Sequence, residues 1–141
     1  MSTEANKALV RRYREIHNSS NLAALDEIVA TDLNSHSGLP GLPAGREGGK
    51  LAHQGVLASF PDGHVTTDDL IAEGDRVVER FTFSGTHQAP FMGVPATGKR
   101  VTVTGMSVFR IADGKIAEHW GENDAMGLLM QLGVLPGPGQ G

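Results

Sequence analysis

Leu9, Tyr13 and Ile16 recur at helical spacing near the start of the chain, with Arg11, Arg14 and Glu15 turned away from them. This pattern predicts a first helix over about Thr3–His17, with Thr3 as its N-cap and Glu4 favouring the positive end of the dipole. Asn18-Ser-Ser-Asn21 breaks it. A second helix begins near Leu22, with Leu22, Leu25, Ile28 and Val29 as its buried stripe. Asp32–His36 is a short extended segment, and Ser37–Gly45, with two prolines and three glycines, is irregular. A third helix, roughly Arg46–Phe60, stops at Pro61. Gly48, Gly49 and Gly55 each weaken it by about 1 kcal/mol relative to alanine, so tertiary contacts must hold it.

The pattern then changes to strands. They cover His64–Ala72, Arg76 to about His87, Arg100–Ile111 and Lys115 to about Gly121. Glu73-Gly74-Asp75 and Ala112-Asp113-Gly114-Lys115 are tight turns, the second with the Asp-Gly pair that supplies positive φ. Gln88–Lys99 is a long loop with Phe91 and Met92 near its tip, apolar residues placed to cover something. Met126–Gly133 is a short apolar helix with a glycine stop. Helices, then an antiparallel meander, then one closing helix argue an α+β domain: three N-terminal helices packed on a curved, mostly antiparallel sheet. A bent sheet around a long helix leaves a cone-shaped, apolar cavity. Residues 1–135 form a single domain on this reading, and 136–141 a disordered tail.

Composition narrows the classes. The 141 residues contain no cysteine, which excludes disulfides and thiolate catalysis. A net charge of −4 argues against nucleic acid as a partner. The basic run Arg11-Arg12-Tyr13-Arg14 reads as a solvated helix face. With no span-length apolar run and no signal-peptide core, the expectation is a cytoplasmic protein without membrane contact. Six scattered histidines lack zinc-site spacing, and no phosphate-binding glycine pattern occurs, so neither metal nor cofactor is expected.

Ala112-Asp-Gly-Lys-Ile-Ala-Glu-His-Trp120, then Asp124-x-x-Gly-Leu-Leu-x-Gln-Leu-Gly133, resembles the SnoaL-like polyketide (ester) cyclases of the nuclear transport factor 2-like superfamily. His36–Gly48 and Gly85–Lys99 fit the same family, and the match is collinear from the first helix to Gly133. The resemblance implies an α+β barrel with a deep apolar pocket, usually a homodimer packed through its sheet. It implies aldol ring closure on a polyketide ester by an acidic residue of the last strand, without metal. Hydroxylases and an epoxide hydrolase are relatives, so a hydroxylase or hydrolase reaction is an alternative. One departure stands out: the residue after Trp120, an aspartate in the aldol cyclases, is Gly121. A non-catalytic domain that binds an apolar ligand is therefore a further reading.

Three residues are candidates for acid/base catalysis. Asp124 could be a pocket carboxylate, or the N-cap of the last helix. His119 shares strand parity with Gly121 and so faces whatever Gly121 faces. His36 closes the first strand beside the expected mouth, as part of the matched segment. Ligand-binding candidates are His53 on the third helix, Phe91 and Met92 of the loop, and Met106, Ser107, Phe109 and Trp120 of the closing hairpin. Arg80, which interrupts an apolar strand, is another; burial would give it Glu118 or Asp124 as partner. His64 and His87 are expected to be solvated. Val77 or Val78, Val101 or Val103, and Trp120 supply an outer apolar face for a homodimer.

Overall fold

The computed structural model describes residues 2–36 and 41–136. The first four residues of the Gly/Pro segment, 37–40, and the tail beyond Pro136, expected to be disordered, lie outside the described residues. Helix α1 (Thr3–Ser19) is capped by Ser2, whose side chain accepts from the Ala5 amide, one residue before the expected cap. It ends where Ser20 turns left-handed at φ 62°. Leu22–Glu27 forms a 3₁₀ turn rather than an α-helix. Strand β1 (Val29–Ser35) follows, then α2 (Gly45–Ser59), β2 (His64–Glu73), β3 (Arg76–Thr86), β4 (Arg100–Ala112), β5 (Lys115–Asn123) and α3 (Ala125–Gln131).

The strand order is β1-β5-β4-β3-β2 in one five-stranded sheet. All neighbours are antiparallel except β1 and β5, which run parallel with Val29 opposite Ile116. Asp113 (φ 53°) and Gly114 (φ 75°) make the β4–β5 turn left-handed at both positions, as the Asp-Gly pair requires. The sheet curves around α1, which lies against β2 and β3, while α2 lies against β1. This is the expected α+β architecture.

Side-chain alternation divides the sheet into two faces. On the inner face, Val77 of β3 stands opposite Phe109, and Phe109 opposite His119. Val77 and Phe109 join Val10, Ile16, Leu25, Leu33, Ile111 and Ile116 in the main core. A second apolar cluster gathers Phe60, Val101, Val103 and Leu132, with Phe83, Phe91 and Val94 packed against it. One glycine of α2 is explained by close approach: a Cβ on Gly48 would run into the Pro43 carbonyl oxygen. What costs helix propensity therefore allows close packing against the preceding segment.

Candidate functional site

The inner face of the sheet carries polar side chains where a core alone would carry none. Glu79, Ser107 and Gly121 share one rung across β3, β4 and β5; Val77, Phe109 and His119 share the next. Glu79 is fully buried. It accepts from Arg14 Nε at 3.0 Å and Nη2 at 2.5 Å, and from the Thr67 hydroxyl at 2.7 Å. Three donors on one carboxylate, two of them from a planar guanidinium fork, meet what a buried charge pair requires. Burial works against the Arg14 charge, but the Glu79 hydrogen bond and charge outweigh it and its pKa is raised.

Three histidines lie beside this pair. His119 Nε2 is 3.2 Å from the Ser107 hydroxyl, and its ring packs on Phe109 at 4.9 Å. Burial, then the Arg14 charge, lowers its pKa to about 4, against the opposing influence of Glu79. His17, on α1, donates from Nδ1 to the Tyr13 carbonyl at 3.0 Å. That tautomer makes Nε2 the acceptor. Burial, then His53 and Arg14, lowers its pKa to about 3. His53 donates from Nε2 to the His17 carbonyl at 2.9 Å and meets the His17 ring edge-on at 4.4 Å. Its pKa is also lowered, chiefly by burial. At neutral pH the interior therefore holds uncharged imidazoles beside one compensated ion pair. Uncharged imidazole can accept a proton, donate a hydrogen bond and cycle between both roles.

Of the expected residues, His119, Ser107, Phe109 and His53 come together here. The others are elsewhere. His36 lies on the outer face, 2.6 Å from Glu118 and stacked on Trp120. The alternation that turns Leu33 inward turns Asn34 and His36 outward. Met106, half-exposed, also faces outward and cannot share a wall with Phe109. It lines a shallow concavity of about 370 Å³ with Val108, Trp120 and Glu122. Another, of about 300 Å³, lies at the hairpin end beside Asn6, Asp75 and Asp113. Both are away from the interior histidines.

Further expectations are corrected. Arg80 is not buried with Glu118 or Asp124: it is 53% exposed, 4.0 Å from Asp68, because its strand neighbour Glu79 takes the inward position. Glu118 instead pairs with Arg110 at 2.9 Å; His36 and Arg110 together hold its carboxyl below the usual range. Asp124 caps α3, accepting from the Gly127 amide at 2.9 Å. Phe91 covers Phe60 at 5.3 Å, in the second cluster, while Met92 at the loop tip is exposed. His87 is buried, with Nδ1 on the Thr97 hydroxyl at 3.0 Å. Arg14 is the largest revision, since it leaves the expected solvated face to enter the interior. Its signal, together with that of His17, was a stripe running Asn6, Val10, Tyr13, Arg14, His17 along α1.

The family model for SnoaL-like polyketide cyclases matches residues 7–132. The chain belongs to this family. Aklanonic acid methyl ester cyclase DnrD of Streptomyces peucetius is 29% identical over 136 residues, 94% of this chain and 92% of its own length. TsrD of Streptomyces laurentii superposes with a TM-score of 0.88 at 33% identity, over 96% of this chain and 99% of that one. IdmH of Streptomyces antibioticus is 36% identical with a TM-score of 0.77, over 92% and 99% of the two chains. In this SnoaL-like protein the rung through Gly121 carries its carboxylate on β3, as Glu79, and not on β5. Among the described residues no group of three or more His, Asp or Glu is placed to hold a metal ion, and no helix is long and apolar enough to cross a membrane.

Proposed function

We propose that this SnoaL-like protein carries out acid/base chemistry on an apolar, carbonyl-bearing small molecule held against Phe109, with His119 as the proton-transferring group. The observation that carries the reading is His119 itself: an imidazole on the inner face, uncharged, between Phe109 and the Ser107 hydroxyl. In an aldol-type ring closure, His119 removes a proton from a carbon between two carbonyls, and the electron pair moves onto a carbonyl oxygen. The resulting enolate carbon attacks a second carbonyl of the same molecule. The new alkoxide then takes the proton back from His119, so substrate and product are isomers. The name of DnrD, a cyclase of a methyl ester, supports an ester substrate.

The test is deuterium exchange at the α-carbon of a β-keto methyl ester, followed by NMR in D₂O. Exchange above the spontaneous rate is expected, falling on the order of 10²-fold in His119→Asn. Gly121 favours a second reading, a binding domain without catalysis, because it leaves β5 without the acidic residue that the aldol cyclases carry there. Tight binding of the ester with no exchange above background would establish that one.

A further inference from the structure

An uncharged imidazole whose conjugate acid has a pKa of about 4 is a weak base. Carbon acids flanked by two carbonyls are far weaker acids than that imidazolium. Proton transfer between them proceeds only if the enolate oxygen is stabilised where it forms. That requirement directs attention to Arg14, which the proposed proton transfer leaves without a part.

Arg14 is built into the interior with unusual completeness. Its Nε and Nη2 are spent on Glu79, and Glu79 is fixed in turn by Thr67. The guanidinium carbon lies 5.5 Å from the ring centroids of both Tyr13 and Phe81. The Phe81 ring reaches that position because β4 has glycine opposite: a Cβ on Gly105 would collide with Phe81 Cζ. The fork is thus held by a carboxylate on one edge and bordered by two aromatic rings. Its remaining nitrogen, Nη1, has no acceptor among the described residues. Tyr13, beside which the guanidinium lies, packs on His17 at 4.1 Å and on Phe109 at 5.1 Å, and Phe109 on His119 at 4.9 Å, which places the guanidinium in the same cluster.

We propose that Arg14 is a catalytic residue of this site, its free Nη1 edge stabilising the negative charge that develops on the ligand's carbonyl oxygen, with Glu79 as the positioning residue that aims it. This rests on the acid/base reading of the interior given above. A preorganised donor of this kind acts where charge forms and needs no reorientation at the moment of reaction. A lysine would carry the charge but not the planar fork that Glu79 holds. The division of labour also accounts for Gly121: the charged group is supplied from α1 and β3, and β5 contributes the proton carrier.

Substituted 2-naphthols test this without turnover, because a naphtholate resembles an enolate and its ionisation is read by fluorescence. The wild-type protein should lower the pKa of the bound probe by at least one unit. The double variant Arg14→Met/Glu79→Gln removes both charges while keeping the bulk. It should bind the neutral naphthol within a few-fold of wild type and leave its pKa where it is in water. Arg14→Lys should retain only part of the lowering, and this variant decides the matter if the double variant does not fold. Naphthols that bind with an unchanged pKa, or a lowering that survives both variants, would overturn the role of Arg14 while leaving His119-dependent exchange standing. If no naphthol binds the wild type and no ester exchanges, the interior site itself is wrong and this inference falls with it.

Discussion

His36 lies flat on Trp120, ring centroids 4.9 Å apart and planes 9° from parallel, on the face of the sheet opposite His119. Two histidines that sequence alone nominates for the same task are therefore separated by the thickness of the sheet. His36→Asn should leave α-proton exchange within a few-fold of wild type and change the intrinsic fluorescence of Trp120, the chain's single tryptophan. His119→Asn should do the reverse. A large loss of exchange in His36→Asn would place the chemistry on the outer face.

Asp124 holds the Gly127 amide at the start of α3, and its own carbonyl accepts from Leu128. Asp124→Asn keeps a capping oxygen and should be nearly neutral for melting temperature. Asp124→Ala should cost roughly 1 kcal/mol. Neither should change exchange kinetics; a 10²-fold loss in Asp124→Asn would restore it as a base.

The buried histidines make stability depend on pH in a defined direction. His17 and His119 have folded pKa values of about 3 and about 4, below the ordinary 6.5. Between those limits the unfolded chain binds more protons, so stability rises with pH across the window. It should be fully present above about 6.5 and fall as the pH drops through 6 and 5 towards 3. The slope approaches roughly 1.4 kcal/mol per pH unit for each histidine that is protonated only when unfolded. Urea melts of wild type and His17→Gln from pH 4 to 7.5 check this, the variant giving the shallower slope. The exchange rate, by contrast, should rise through about pH 4 and then level, as His119 loses its proton.

Met106 and Ile71 stand exposed on the outer face, with Val108 and Trp120 half-buried beside Met106. We propose that a second copy of the chain covers this face. Sedimentation at micromolar concentration should report a dimer, and Met106→Glu should shift it towards monomer. A wild-type monomer under those conditions would refute the assignment.

Helix spacing, the Asp-Gly turn and the order of elements were enough to read the architecture, because each is decided locally. The parity of His119 with Gly121 was legible for the same reason, while its inward direction followed only from the family resemblance. In the structure the same alternation turns Glu79 inward with Val77 and Arg80 outward with Val78. The eye is drawn to Arg80 because it stands out among apolar neighbours, whereas the buried charge was the residue before it. Arg14 was harder to read. It belongs to a basic run; its place on the stripe through Asn6, Val10 and His17 marks its direction, but the carboxylate that receives it lies on a distant strand. Such a pairing is a tertiary fact with no local signature.

The parallel pairing of Val29 with Ile116 has a consequence for how the chain is made. Strand β1 is synthesised early, yet its one neighbour in the sheet is β5, the last strand to appear. While the ribosome is still adding β2, β3 and β4, β1 has no strand to pair with, and only α2 and the 3₁₀ turn lie against it. Strand β1 must wait for the closing hairpin, so a nascent chain stalled before Lys115 should remain open to proteases along β1. The same chain released past Asn123 should close at once.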